Sequence, residues 1–237
     1  MHESTIIWDD DQIPISRFFN DVYFNTNGAI DETRYVFIEG NRLFARFLQH
    51  QQESFTIGET GFGSGLSFLI AWQTFKQFRQ QNPNSVLQRL NFFSVERYPL
   101  SELELIKIHN KVISSHDSLS SLAPKLRDYL QGSANETLDD INLVICFDDI
   151  THFPDFLQRQ NSLIDVWFFD GFSPAKNPDM WSASLFKQCY NLTNKDGTFA
   201  TFTAAGFVRR NLISAGFKVE KRKGFGIKRE MLIGSKS

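Results

Sequence analysis

The sequence predicts an α/β domain built on a mostly parallel sheet whose last strand runs antiparallel. Three observations lead there. From Phe55 onward, short β-branched and aromatic runs alternate with segments of helical period, the pattern of a parallel sheet wrapped by helices. Residues 56–66, Thr-Ile-Gly-Glu-Thr-Gly-Phe-Gly-Ser-Gly-Leu, read as a strand, a glycine turn and the opening of a helix. The last two apolar runs, 217–221 and 229–233, are joined only by residues 222–228, too short for a crossover helix, so that pair is expected to be antiparallel.

Taken in order, residues 1–16 are polar, hold Asp9-Asp10-Asp11 and Pro14, and show no period, which suggests an extended arm. Residues 17–24 crowd Phe18, Phe19, Tyr23 and Phe24 among charges and lead into a turn at Asn25-Thr26-Asn27-Gly28. Residues 35–39 and 42–47 flank Gly40-Asn41, the signal of a β-hairpin with a primed turn. This hairpin, 35–47, is expected to cover a sheet edge or one wall of a cleft, within a single domain spanning 17–237. Helices are expected at 66–78, 101–112, 184–192 and 206–215, and further strands at 90–95, 141–147, 164–169 and 198–203. The first of these helices carries Phe68, Leu69, Trp72 and Phe75 at helical spacing, a stripe suited to the core. The serine-rich stretch 114–135 reads as a mobile insertion.

Composition bounds the possibilities. With 41% hydrophobic and 22% charged residues the 237-residue chain is globular rather than disordered, and its 25 phenylalanines must be buried or used in recognition. Cys146 and Cys189 lie a whole βα unit apart without metal-ligand spacing, which fits free thiols in a reducing compartment. No run resembles a signal peptide or a spanning helix, so the expected location is cytoplasmic and no membrane partner is expected. The net charge of −2 conceals an asymmetry: residues 209–229 hold Arg209, Arg210, Lys218, Lys221, Arg222, Lys223, Lys228 and Arg229 against the single acid Glu220. Such a cluster suits a nucleic-acid contact, although solvated faces also collect lysine and arginine.

The glycine turn narrows the ligand. Gly61, Gly63 and Gly65 let the backbone turn sharply and approach a ligand, and the N–H groups of the following helix point the same way. The dinucleotide fingerprint fails because Leu66 stands where its third glycine belongs, and no P-loop is present. Glu59 in front of Gly-x-Gly-x-Gly resembles the first motif of class I S-adenosylmethionine-dependent methyltransferases. A carboxylate there suits a cationic, amine-bearing ligand and would repel a pyrophosphate. A structural turn without a ligand is the alternative. The resemblance implies a Rossmann-like sheet with S-adenosylmethionine held near Glu59, Gly61, Phe62, Gly63 and Gly65.

Ligands of open α/β sheets sit at the carboxyl ends of the strands. Glu96 ends the strand 90–95, where a carboxylate can accept both ribose hydroxyls of an adenosyl group. Asp148-Asp149 ends 141–147, where Asp149 can accept from the adenine amino group. Asp170 ends the apolar run Val166-Trp167-Phe168-Phe169. Each alone also reads as a helix cap or a solvated turn; together with Glu59 they point to one site. The loop after Asp170 is stiffened by Pro174 and Pro178 and offers Phe172 and Trp181 as flat faces for a splayed base.

Four stretches make the resemblance specific: Glu-Thr-Gly-Phe-Gly-Ser-Gly-Leu (59–66), Asp-Gly-Phe-Ser-Pro-Ala-Lys-Asn-Pro-Asp-Met-Trp (170–181), Ala-Gly-Phe-Val-Arg-Arg (205–210) and Gly-Phe-Gly-Ile-Lys-Arg-Glu-Met-Leu (224–232). They resemble the methyltransferase domain of the MnmC family, over nearly the whole chain. The resemblance implies methyl transfer from S-adenosylmethionine to the amine of 5-aminomethyl-2-thiouridine at wobble position 34 of tRNA. Asp170 would then meet the attacking nitrogen, Phe172 and Trp181 the base, and Arg209, Arg210, Lys221, Lys223 and Lys228 the tRNA. Many members also carry a C-terminal FAD-dependent oxidoreductase domain; no such domain is expected within this chain, nor is FAD. The alternatives are a methyltransferase of small-molecule or protein amines and an inert nucleic-acid-binding module of the same fold.

Overall fold

The computed structural model describes residues 5–24, 28–114, 116–132 and 138–237. Seven strands form the main sheet: β3 (Ser54–Glu59), β4 (Arg89–Val95), β5 (Ile141–Cys146), β6 (Ile164–Phe168), β7 (Thr193–Thr201), β8 (Lys218–Lys223) and β9 (Glu230–Ser235). Their order is β5-β4-β3-β6-β7-β9-β8. The first five run parallel; β9 is inserted antiparallel between β7 and β8. The expected mostly parallel sheet with an antiparallel last strand is therefore present. The order reverses direction at β3, and the carboxyl ends of β3, β4 and β6 diverge around a shared opening, the usual ligand position in open α/β sheets.

Helices α1 (Ala29–Thr33), α2 (Leu43–Gln49), α3 (Leu66–Gln81), α4 (Glu102–Val112), α5 (Asp117–Ser120), α6 (Ala123–Leu130), α7 (Phe153–Arg159), α8 (Ala183–Asn191) and α9 (Gly206–Ala215) cover the sheet. Alternate strand residues face opposite layers. Phe92 and Phe168 join a core with α2 and α3, while Phe93, Trp167 and Phe199 join a second with α7, α8 and α9. Phe68, Leu69, Trp72 and Phe75 of α3 are all buried in the first core, as their spacing implies. No described helix is long and apolar enough to cross a membrane.

Three expectations need correcting. Residues 35–47 are not a hairpin: Arg34–Glu39 is a π-helical segment and α2 follows. Neighbours Val36 and Phe37 are both buried, which a strand with one covered face cannot achieve, and Leu43 and Phe47 are buried at helical i, i+4 spacing. Gly40 is right-handed helical, and the left-handed residue is Arg42, so no primed turn forms.

The N-terminal hairpin lies instead in the stretch expected to be an arm, where β1 (Ile6–Trp8) pairs antiparallel with β2 (Pro14–Ser16). Ile6 is buried against Leu100, Leu105 and Ile108, and Lys107 sits 3.7 Å over the Trp8 ring. The expected mobile insertion, where described, holds α5 and α6, with Leu119, Leu122 and Leu126 buried in the core. Of the expected turn at 25–28, residues 25–27 lie outside the described residues.

Candidate active site

The glycine turn is tied to its neighbours by the backbone. Phe62 N donates to the Val95 carbonyl at the end of β4, and Thr60 Oγ1 donates to the Asp170 carbonyl beyond β6, at 3.0 and 2.6 Å. A Cβ on Gly61 would stand 3.4 Å from the Asp170 carbonyl and the Gly171 Cα, so two backbone segments approach closely here. Gly63 and Gly65 are left-handed, at φ +52° and +74°. These constraints leave a cleft whose empty space, open mouth included, is about 1000 Å³, large enough for a nucleoside-sized cofactor plus the end of a substrate.

Gly61, Phe62, Gly63, Glu96, Asp149, Asp170 and Phe172 line this cleft. Glu96 accepts from Gly63 N–H at 2.9 Å with one oxygen and from Tyr98 N–H at 2.8 Å with the other. Burial raises its pKa, and these N–H bonds pull it back. Each oxygen keeps a further lone pair for an incoming hydroxyl.

Asp149 is more heavily engaged. It caps the 3₁₀ turn Ile150–His152, one oxygen accepting from Thr151 N–H and Oγ1 and the other from Arg97 at 2.7 Å. The bond from Thr151 N–H leads the causes that lower its pKa. The adjacent Asp148 also lines the cleft, and the bond from His152 lowers its pKa.

Asp170 holds its carboxylate at the junction of β3, β6 and α3. One oxygen accepts from Gly171 N–H at 2.8 Å, the other from Ser67 Oγ at 3.4 Å. Burial pushes its pKa up to about 6; the two hydrogen bonds and Lys228 oppose that rise, and Glu32 adds to it. Glu59 is 0% exposed and lies behind the cleft wall. Its Oε2 accepts from Ser94 at 2.7 Å, and its Oε1 has no hydrogen-bond partner among the described residues. Burial first, then Asp170, raises its pKa well above the usual carboxylate value. Gly65 also sits behind the wall, where a Cβ would meet Leu126 at 2.8 Å and the Phe62 ring at 2.9 Å.

Trp181 is not a stacking face. It is 1% exposed, and its Nε1 donates to the Phe172 carbonyl at 3.0 Å, which anchors the loop from beneath. Phe172 does line the cleft, stacked on Phe19 at 4.8 Å with Tyr23 edge-on at 5.2 Å. Residues 18–24 thus form a strap across the opening. Phe18 stacks on Tyr98 at 3.9 Å on one side, and Asp21 accepts from Ser173 N–H at 2.7 Å on the other. The strap was missed in the sequence, where four aromatics in seven residues (18–24) were its only signal.

The basic residues divide. Lys221 pairs with Glu230 at 2.7 Å, and Lys228 pairs with Glu32 at 2.6 Å above the Phe202 ring. Arg210 and Lys223 are exposed and Arg209 is half-buried. None of the five lines the cleft, although the charge of Lys228 reaches Asp170.

A family model for S-adenosyl-L-methionine-dependent methyltransferases matches residues 116–237, just over half of the chain. The chain belongs to that family. Over 235 residues it is 44% identical to the tRNA 5-methylaminomethyl-2-thiouridine biosynthesis bifunctional protein MnmC of Aliivibrio fischeri. The match takes in 96% of this chain and 34% of that protein, so the chain spans about a third of its relative's length. Its fold is similar to the crystal structure of MNMC2 from Aquifex aeolicus, with a TM-score of 0.68 at 23% identity, covering 99% of this chain and 71% of that one.

The cleft of this methyltransferase suits its cofactor. Gly61 leaves room where a side chain would crowd the backbone of Asp170 and Gly171, and Glu96 offers fixed acceptor oxygens to a diol. The donor set is acidic and free of lysine at the turn, which suits a cationic sulfonium ligand and not a polyphosphate.

Proposed function

We propose that the chain methylates the primary amine of 5-aminomethyl-2-thiouridine at position 34 of tRNA, giving 5-methylaminomethyl-2-thiouridine, in the cytoplasm. The observation that carries this reading is the 44% identity to the bifunctional MnmC protein across 96% of the chain. The acidic, aromatic-walled cleft is what an amine on a splayed base requires. A C-terminal FAD-dependent oxidoreductase domain or partner, as the relative's greater length suggests, would supply the aminomethyl substrate.

S-adenosyl-L-methionine supplies an electrophilic methyl group, which only a neutral amine can attack. The free amine has a pKa of roughly 10, as for a lysine, so it arrives as an ammonium ion. Phe172, Phe19 and Tyr23 desolvate that ion and favour its neutral form. Asp170, ionised above about pH 6, orients the amine, stabilises the positive charge that grows on nitrogen and can take the surplus proton afterwards. Glu96 holds the cofactor end, with Glu59 behind the wall supporting the turn and Asp148 and Asp149 at the adenine side. Phe172 supports the base, and the exposed Arg210 and Lys223, with Arg209, meet phosphates.

The test is nucleoside mass spectrometry of aminomethyl-thiouridine tRNA incubated with the protein and S-adenosyl-L-methionine. Conversion of the aminomethyl to the methylaminomethyl nucleoside is expected. Methylation of small free amines with tRNA left unchanged would overturn the tRNA reading.

A further inference from the structure

The peptide carbonyl of Ser64 lies between two left-handed glycines, Gly63 and Gly65. The peptide that carries it has a Cβ on its Ser64 side and none on its Gly65 side, so the glycine side offers little resistance to reorientation. Its N–H, on Gly65, donates to the Phe62 carbonyl at 2.8 Å, and its carbonyl needs a partner of its own. His109, on α4, is 3% exposed and sets its Nε2 2.8 Å from the Ser64 carbonyl oxygen. Its Nδ1 lies 3.0 Å from a guanidinium nitrogen of Arg127, on α6.

These partners fix the tautomer. A carbonyl only accepts, so Nε2 carries the proton; a guanidinium only donates, so Nδ1 is bare. Burial, reinforced by Arg127, pushes the ring's pKa down to about 4, so it is neutral at physiological pH. Arg127 takes part in no ion pair among the described residues; its guanidinium donates to this imidazole. Leu126, beside it in α6, packs where a Cβ on Gly65 would stand. Residues 117–130 thus reach the turn twice, once by packing and once through a hydrogen-bonded relay.

We propose that His109, oriented by Arg127, is a positioning residue that holds the glycine turn in its cofactor-binding shape. It touches neither substrate nor reacting atoms. Its work is to remove alternative orientations of the Ser64 peptide, so that binding need not select one shape from several. The proposal rests on the cofactor lying at this turn.

The experiment is calorimetric titration of the full chain with S-adenosyl-L-methionine, together with KM and kcat. His109→Phe keeps a ring but loses both nitrogens. It should raise the cofactor Kd and KM about 3- to 10-fold, the worth of one neutral hydrogen bond, with kcat at saturating cofactor unchanged. Arg127→Met should act in the same direction but less. The double variant should bind no more weakly than His109→Phe, because Arg127 acts through the imidazole. His109→Gln, which returns an N–H donor, should recover part of the loss.

A residue that only stabilises the fold would lower the melting temperature and leave the Kd of the folded protein unmoved. Glu96→Gln serves as the control for the site itself. If it weakens binding while folded His109→Phe and Arg127→Met bind as the parent does, the positioning role is wrong and the site stands. If none of the three weakens binding, the cofactor does not lie at this turn and the proposal falls with it. Strictly additive losses in the double variant also overturn it. Should His109→Phe fail to fold, the half-buried Arg127→Met carries the same test.

Discussion

Replacing Asp170 by asparagine should make the protein more stable at neutral pH and nearly inactive. The variant keeps both hydrogen bonds: its carbonyl oxygen can accept from Gly171 N–H, and its amide can donate to Ser67 Oγ, which accepts as readily as it donates. What it removes is a buried charge. The carboxyl pKa rises from 3.8 to about 6 on folding. A raised folded-state value favours the folded protein while the group is protonated, and that advantage is lost as pH climbs from about 4 to about 6. At about 1.36 kcal/mol per unit, the ionised form costs about 3 kcal/mol at pH 8 and about 1.6 kcal/mol at pH 5.

Urea unfolding of parent and variant should therefore show a stability gap that widens by about 1.4 kcal/mol from pH 5 to pH 8. Over the same interval the parent's single-turnover methylation rate should gain an ascending limb near pH 6 that the variant lacks. At pH 8 the variant's rate should be lower by about 10² to 10³, the cost of one preorganised partner of the transition state. A variant less stable than the parent at pH 8, or a gap that ignores pH, would refute the reasoning. Such a result would mean that the Asp170 charge is well solvated and that its burial is not what tunes it.

Glu96→Ala removes the acceptor and also releases Gly63 and Tyr98 N–H, so cofactor binding should weaken by about 1.5 to 3 kcal/mol, read by calorimetry. Trp181→Phe should lower the unfolding free energy by about 1 kcal/mol or more, because the bond to Phe172 and some buried volume both disappear, with KM for tRNA moved mainly through the Phe172 loop; a large drop in tRNA affinity in a parent-stable variant would restore Trp181 as a base contact. Removing the charges of Arg209, Arg210 and Lys223 should flatten the salt dependence of tRNA binding by about 0.7 to 0.9 in log-log slope for each phosphate no longer neutralised, whereas Lys221→Ala, already paired with Glu230, should change it little; equal slopes for both sets would mean that this face does not meet RNA.

The sheet was legible because its signals are local. Apolar runs such as 166–169 are continuous where both sheet faces are covered, and the short link 222–228 allows only an antiparallel return. Residues 35–47 misled for an equally local reason. Two runs rich in aromatic and aliphatic residues flank Gly-Asn as in a hairpin, and the adjacent burial of Val36 and Phe37 shows the helical alternative. In the serine-rich stretch, Leu119, Leu122 and Leu126 repeat at helical spacing, a signal that composition outweighed. The strand-end acids were placed correctly along the chain, but their hydrogen-bond partners were not readable. That Asp149 pairs with Arg97, that Glu59 sits behind the wall and that residues 18–24 strap the opening all depend on contacts between segments distant in sequence.

Asp170 lines the cleft and Glu59 lies behind its wall, close enough for the charge of Asp170 to weigh on Glu59. The Ser67 hydroxyl donates to Asp170, and its presence also eases the ionisation of Glu59. Glu59 is the more deeply buried, and burial first, then the Asp170 charge, raises its pKa. Asp170 presents its charge to the cleft, while burial and Asp170 both oppose a second charge on Glu59. A second charge would bind an ammonium ion more tightly and hold the amine in its unreactive form. Exchanging Glu59 for glutamine should accordingly change the pH profile of methylation little, because burial and the Asp170 charge both oppose ionisation of the parent side chain; a shift of the limb near pH 6 by a full unit would show that Glu59 shares the charge.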